Sequence, residues 1–152
     1  MREHMIWVTT ANSNTCRIYH FDKHPAKLTL LKEISHPENR LKKAEFFTSD
    51  KPGRYHVDPS AHGTYSQRTD PKEVEIDHFA REIADELDRG RNAQEYKKLI
   101  IVTAPHMQGL IFQHLDKHVQ ELIVNDIQKD VMHLAQHDLL DFLKTHAQYE
   151  QS

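Results

Sequence analysis

The residues best suited to bind an anion lie in a predicted turn near the middle of the chain. Asp50 is followed closely by Pro52 and Gly53, and this pattern is typical of a turn because proline fixes one backbone dihedral angle and glycine accepts a positive φ. Arg54 would leave the turn in a fixed direction, and its guanidinium could form paired hydrogen bonds with a phosphate or a carboxylate. The alternative is a purely structural ion pair between Asp50 and Arg54 that holds the loop together.

A second polar pair, Lys129-Asp130, directly follows the last predicted strand. Polar residues at the end of a strand commonly face a cleft, so these two residues are candidates for binding a ligand or a partner. The alternative is an exposed connection that caps the final helix.

Histidine is unusually frequent, with 13 residues in the chain, which raises the question of a metal site. His114 and His118 are four residues apart, as are His133 and His137, so each pair could share a helix face and chelate a transition metal. Neither pair encloses the glutamate of an H-E-x-x-H site, and the sequence identifies no third ligand. We therefore expect solvent-exposed helix faces here, and the sequence predicts neither a metal nor another cofactor.

Motifs of several enzyme classes are absent from the sequence. A two-metal nuclease needs carboxylates on its first strand and near its fourth, and neither predicted strand contains one. The four glycines build no nucleophile elbow, P-loop or dinucleotide-binding loop. Cys16 lies on the side of its strand that should face the core, where a thiol behaves as a small hydrophobic group. The sequence thus favours a protein that is not an enzyme.

One enzymatic alternative stays open. It is an enzyme that acts on RNA or a small molecule in a cleft lined by Asp50, Arg54, Asp126 and Asp130. A concave pocket that collects these side chains would favour this alternative, whereas a flat or convex surface would favour a binding protein.

The composition is that of a polar globular chain. It has 152 residues, of which 38% are hydrophobic and 28% charged, so it can bury one core. No apolar run approaches the about 20 residues of a membrane helix, no secretory signal is recognisable, and a single cysteine forms no intrachain disulfide. We therefore expect one cytoplasmic domain over residues 1–152, with no membrane partner.

Charge is unevenly distributed along the chain. Residues 1–54 hold ten Lys or Arg and six Asp or Glu, and residues 55–152 hold ten and seventeen, which gives net charges of +4 and −7. The total of −3 argues against a generic, highly basic nucleic-acid-binding protein. A basic N-terminal sheet and loop could still contact phosphate.

Hydrophobic periodicity predicts the strands and helices that would position these residues. The predicted strands are at residues 5–10, 15–21, 27–34, 99–102 and 121–126. The predicted helices are at residues 35–47, 70–90, 107–118 and 136–147. The strands and helices follow one another along the chain in the order β-β-β-α-β-α-β-α. This order predicts a layered α/β domain with a mixed five-stranded sheet, as in ribonuclease-H-like folds.

The helix that begins near residue 70 has the clearest boundaries in the sequence. Asp70 is a good N-cap residue and Pro71 suits the first helical position, while Gly90 is predicted to end the helix in a left-handed conformation. Before this helix, residues at about 48–69 show no sustained periodicity and form a long predicted loop, of a kind that is often functional.

Several motifs together resemble the bacterial family of proteins required for attachment to host cells, over nearly the whole chain. The matching segments are Ala11-Asn12, Cys16-Arg17-Ile18, Asp50-Lys51-Pro52-Gly53-Arg54, Asp70-Pro71-Lys72, Phe79-Ala80-Arg81-Glu82-Ile83, Ala104-Pro105, Gln108-Gly109 and Lys129-Asp130-Val131-Met132-His133-Leu134. Asn12 replaces an aspartate of the family pattern, and Gln108 replaces a leucine. The family is in turn similar to the middle domain of archaeal and eukaryotic class-one peptide release factors.

This resemblance implies a release-factor-like fold and the ribosome or tRNA as a partner. Release factors act through a Gly-Gly-Gln tip, and this chain has no Gly-Gly pair, so that reaction is not available to it. The resulting interpretation is a non-catalytic, RNA- or ribosome-associated regulator that affects attachment indirectly, with Arg17, Arg54 and Lys129 in contact with phosphate. A protein-interaction domain that controls surface attachment through a protein partner is the remaining alternative.

Overall fold

A mixed sheet forms the centre of the computed structural model, which describes residues 5–36 and 70–147. Its five strands in this part of the chain are β1 (Ile6–Ala11), β2 (Thr15–Lys23), β3 (Ala26–Ser35), β4 (Lys98–Thr103) and β5 (Ile123–Gln128). They lie in the order β3-β2-β1-β4-β5. The first three strands are antiparallel, whereas β1, β4 and β5 run parallel to one another. The predicted α/β fold with a mixed five-stranded sheet is confirmed.

Helices cover both faces of this sheet. Those in the described part are α1 (Pro71–Asn92), α2 (Pro105–His114), α3 (Lys117–Gln120) and α4 (Gln136–His146). Side chains of α1, α2 and α3 share one core cluster with the sheet, and side chains of α4 share a second cluster on the opposite face. The helix predicted at 35–47 and the loop predicted at 48–69 lie, apart from residues 35 and 36, outside the described residues.

The central strands are buried on both faces. In β1, Trp7 belongs to the cluster under α1, while Ile6 and Val8 belong to the cluster under α4. In β4, Ile101 belongs to the cluster under α1 and Ile100 belongs to the cluster under α4. A strand covered by helices on both sides is apolar at successive positions, which explains the continuous apolar runs of the sequence.

The predicted helix at 107–118 is not continuous. Leu115 is extended, with φ −73° and ψ 134°, and it separates α2 from the short helix α3. Asp116 is the N-cap of α3, and its Oδ1 accepts a hydrogen bond from the backbone N–H of His118 at 2.7 Å. An aspartate side chain that bonds the local backbone competes with helix formation, so the prediction of one helix was wrong at this residue.

Gly90 does not end α1, contrary to the prediction. The helix continues to Asn92, and the positive φ of 60° that follows it belongs to Gln94. Gly90 is needed instead for close packing, because a Cβ atom at this position would lie 2.5 Å from Cη2 of Trp7. The Trp7 ring also stacks on Tyr96, with 4.6 Å between the ring centroids.

Both outer strands of the described sheet contain a β-bulge. Ile18 and Tyr19 pair with Lys32 and Leu30, so Leu31 is an extra residue in β3. In the same way Val124 is an extra residue in β5. These two side chains are 49% and 38% exposed. A bulge disrupts the edge of a sheet and makes the addition of another strand less favourable.

None of the helices in the described ranges combines the length and the apolar character needed to cross a membrane.

Candidate functional site at the carboxyl edge of the sheet

Three of the predicted site residues meet at one edge of the sheet. Because β1, β4 and β5 are parallel, their carboxyl ends lie together, and the antiparallel β2 begins at the same edge. Arg17 is the third residue of β2 and lies opposite Thr10 of β1. Lys129 and Asp130 directly follow β5. We call this group, Arg17 with Lys129 and Asp130, the carboxyl-edge site.

Arg17 is held in place by two acceptors. Its Nε donates to Oε2 of Glu33, directly opposite in β3, at 2.8 Å, and its Nη1 donates to the carbonyl oxygen of Met132 at 3.4 Å. The hydrogen bond that Arg17 donates to the Glu33 carboxylate raises the pKa of Arg17 above its ordinary value. The side chain remains 31% exposed, so the guanidinium is positioned by these contacts and still reaches solvent.

The connection from β5 to α4 is fixed by the same contacts. Oδ1 of Asp130 accepts a hydrogen bond from the backbone N–H of Met132 at 3.0 Å, while the carbonyl of Met132 accepts from Arg17. Asp130 therefore shapes the connection and does not cap α4, whose N-cap is Ala135. Lys129 is exposed, which leaves its ammonium group in contact with solvent.

The turn residues Asp50, Pro52, Gly53 and Arg54 lie outside the described residues. Their role in binding phosphate or a partner stays a prediction.

The carboxylates of the enzymatic alternative serve separate contacts. Asp126 Oδ2 accepts a hydrogen bond from Nε2 of Gln108 at 2.9 Å, which joins β5 to α2. Asp130 bonds Met132, next to Val131, which is buried in the cluster under α4. Asp126 thus bonds α2, whereas Asp130 bonds the backbone of its own connection.

A groove of about 450 Å³ lies away from the carboxyl-edge site, between β3 and α4. It is lined by Ala26, Lys27, Leu28, Gln136, His137 and Leu140. The side-chain amide of Gln136 donates to the carbonyl oxygen of Leu28 at 2.8 Å and so closes part of the edge of β3. Neither Asp126 nor Asp130, the two described residues of the predicted enzymatic cleft, contributes to this groove.

The histidine pairs have carboxylate neighbours. Nε2 of His114 lies 2.9 Å from Oδ1 of Asp77 in α1, and Nδ1 of His118 lies 2.9 Å from Oδ1 of Asp116. His133 lies in a turn before α4, whereas His137 is in the first turn of that helix. His114 ends α2 and His118 lies in α3. The prediction that each histidine pair shares a helix is therefore wrong for both pairs. Residues 5–36 and 70–147 contain no group of three or more side chains able to hold a metal ion.

Cys16 is buried, as predicted, and is 0% exposed. Burial raises the pKa of its thiol, and the carboxylates of Glu86 and Glu82 act in the same direction. The thiolate that a nucleophile would need is thus disfavoured at this position.

Four lysines at the opposite edge were missed in the sequence analysis. Lys23 ends β2, Lys27 follows the start of β3, and Lys97 and Lys98 stand at the start of β4. We call these four residues the amino-edge lysines. Lysine at the end of a predicted strand is a recognisable signal, but their grouping depends on the strand order.

Comparison with known proteins identifies a family and a fold. A family model described as "Protein required for attachment to host cells" matches residues 7–143. No curated protein sequence matches the chain. The structure is similar to that of an archaeal translation termination factor, aRF1, with a TM-score of 0.52 and 14% identity over 98% of this chain. It is also similar to a structure described as "Archaeal protein", with a TM-score of 0.53 and 13% identity over 97% of this chain.

These likenesses concern the fold. The chain covers 35% of the termination factor and 36% of the second archaeal chain. It therefore spans about a third of the length of the two solved structures that it matches.

Proposed function

We propose a function for this chain as a member of the family of proteins required for attachment to host cells, to which it belongs by the match over residues 7–143. It acts in the cytoplasm as a non-catalytic regulator associated with the ribosome or tRNA. Attachment to host cells is then an indirect consequence of its effect on translation. The observation that carries this proposal is the likeness of fold to an archaeal translation termination factor over 98% of the chain.

The carboxyl-edge site supplies cations suited to an RNA backbone. Arg17 is positioned by Glu33 and Met132, and a guanidinium that is already oriented loses less side-chain freedom when it binds phosphate. Lys129 adds an exposed ammonium group three residues before Met132. We assign both side chains to phosphate contact and assign Asp130 to holding the connection between them.

A non-catalytic role is supported by the state of the candidate nucleophile and carboxylates. Cys16 is buried as a thiol, and Asp126 and Asp130 are each used in a hydrogen bond within the fold. The chain also has no Gly-Gly pair, and the resemblance to release factors therefore extends to the fold and not to peptide release.

Co-sedimentation with ribosomes and filter binding of tRNA across a salt series test this proposal. We expect association at low salt that weakens steeply as salt rises, because each phosphate contact releases condensed counterions. Arg17→Ala and Lys129→Ala should each weaken binding and reduce the slope of log affinity against log salt by about 0.7 to 0.9. Arg81→Ala, which removes an exposed cation from α1, is the matched control and should bind like the wild type.

Wild-type protein that associates with neither ribosomes nor tRNA at low salt would overturn the proposal. Thermal unfolding of Arg17→Ala is measured alongside, because this variant also loses the contacts to Glu33 and Met132.

A further inference from the structure

The amino-edge lysines come from distant parts of the sequence and are grouped by the sheet. Lys23 pairs with Ala26 at the end of the β2–β3 hairpin, and Lys98 pairs with Ile6. The backbone N–H groups of Lys97 and Lys98 both donate to the carbonyl oxygen of Met5, at 2.9 and 3.2 Å. Neighbouring strands lie about 4.8 Å apart, so the three intervals from β3 to β4 span about 15 Å.

These lysines have no acidic partner among the described residues, whereas Arg17, Arg89, Arg91 and Lys32 each have at least one. Carboxylates within 3.2 Å are present in the pairs Arg17–Glu33, Lys32–Glu86, Arg89–Glu86, Arg89–Glu95 and Arg91–Asp88. Within the described ranges, no carboxylate lies within 4.0 Å of any amino-edge lysine. Their charges are therefore available to a ligand.

Among the described residues, three acidic side chains lie near this edge. Asp22 stands opposite Lys27 in the sheet, but its Oδ1 lies 3.0 Å from Nε2 of His20. Glu95 is paired with Arg89, and Glu121 is exposed just before β5. The carboxyl edge differs, since Glu33 there contacts Arg17 directly.

Aromatic side chains next to the lysines are inaccessible to a ligand. Trp7, Phe21 and Tyr96 are 3%, 0% and 2% exposed, so none of the three offers a surface on which a base could stack. Lysine is a flexible point charge that binds phosphate without reading sequence. The combination suits the backbone of a nucleic acid and not its bases.

We infer that the amino-edge lysines, Lys23, Lys27, Lys97 and Lys98, form a docking surface for the phosphate backbone of RNA. This surface lies on the opposite edge of the sheet from Arg17 and Lys129, and it binds without sequence preference. The identity of the partner rests on the proposed function, whereas the location of the surface is independent of the carboxyl-edge site.

Two pairs of substitutions test this surface with labelled tRNA as the probe. Lys23→Gln with Lys27→Gln, and Lys97→Gln with Lys98→Gln, each remove two positive charges. We expect each pair to reduce the slope of log affinity against log salt by about 1.4 to 1.8, at about 0.7 to 0.9 for each lost phosphate contact. The matched control is Lys72→Gln with Arg81→Gln, which removes two charges from α1 and should leave the slope unchanged.

A change in the opposite direction gives a second readout. Asp22→Asn removes the carboxylate opposite Lys27, and we expect it to increase the affinity for tRNA at low salt. We expect all variants to keep the wild-type far-ultraviolet spectrum, since the altered side chains are exposed or partly exposed.

The outcomes separate this inference from the proposed function. Wild-type binding that is unchanged in both lysine pairs would overturn the docking surface while leaving the proposed function intact. Wild-type protein that does not bind tRNA or ribosomes would overturn both.

Discussion

The buried carboxylate of Glu86 joins two elements through its two oxygens. Its Oε1 lies 3.1 Å from Nζ of Lys32 in β3, and its Oε2 lies 2.7 Å from Nη2 of Arg89 in α1. The side chain is only 9% exposed. Burial acts to raise the pKa of Glu86, but the hydrogen bonds from Arg89 and Lys32 outweigh it and hold the pKa below its ordinary value.

A pH dependence of stability follows from Glu86. Because its pKa is lower in the folded chain, its contribution is present above the ordinary value of 4.5 and is lost as the pH falls below that value. Glu86→Gln should reduce the free energy of unfolding by about 2 kcal/mol at neutral pH, as expected for hydrogen bonds to a charged group. Urea unfolding of both proteins at about pH 7 and about pH 3 checks whether this difference shrinks in acid. If the wild type and Glu86→Gln differ in free energy of unfolding by the same amount at both pH values, the lowered pKa of Glu86 is contradicted.

Gly90 and Gly109 make opposite predictions for the same substitution. Gly90→Ala should destabilise the protein by about 1–3 kcal/mol, because the new methyl group would overlap the ring of Trp7. Gly109→Ala adds a methyl group that meets no atom within 4 Å apart from its chain neighbours and the backbone of its own helix, and it should stabilise α2 by about 0.5–1 kcal/mol. Thermal unfolding of both variants decides this point, and an unchanged midpoint for Gly90→Ala would contradict the packing described for Trp7.

Single residues were predictable where the cause was local. The alternation of polar and apolar residues in 15–21 placed Cys16 in the core, and the structure confirms it. Gly90 was misread because its role depends on the approach of Trp7, which lies 83 positions earlier in the chain. No local sequence pattern predicts the contact between Gly90 and Trp7.

Among the elements, α1 is the one whose start was best determined by its sequence. Asp70 is the N-cap, as predicted, and its Oδ1 accepts a hydrogen bond from the backbone N–H of Lys72 at 2.9 Å. Asp70→Ala should therefore cost about 1 kcal/mol of stability. Asp85→Ala, at an exposed position in the middle of α1, is the control and should not destabilise the protein. Equal midpoints of urea unfolding for Asp70→Ala and the wild type would contradict the cap.

Other elements were less predictable because periodicity continues through their interruptions. Leu110, Ile111 and Leu115 have helical spacing and all pack on the core, yet Asp116 begins a new helix between them and Val119. The bulges at Leu31 and Val124 left no signal, because an extra residue in a strand is defined only by its neighbouring strand.

The arrangement of the whole molecule decides which charges act together. Residues 1–54 carry the excess of positive charge in the sequence, but Arg17 and Lys32 there are paired with Glu33 and Glu86. Lys23 and Lys27 instead lie at the same edge of the sheet as Lys97 and Lys98, which belong to the acidic part of the chain. The strand order therefore brings four lysines from two distant parts of the chain together at the amino edge.

The carboxyl-edge site also depends on the whole fold. Arg17 and Met132 are 115 positions apart and meet because the connection after β5 crosses toward β2. Each residue could be singled out from the sequence by its type and by its place near the end of a strand. Their contact could not be predicted from the sequence, because it depends on the order of all five strands in the sheet.

Co-sedimentation of the wild-type protein with ribosomes across a salt series tests the central claim most directly. We expect association at low salt that falls steeply as salt rises, since the association depends on phosphate contacts. Absence of association with ribosomes at every salt concentration, together with absence of tRNA binding, would contradict it.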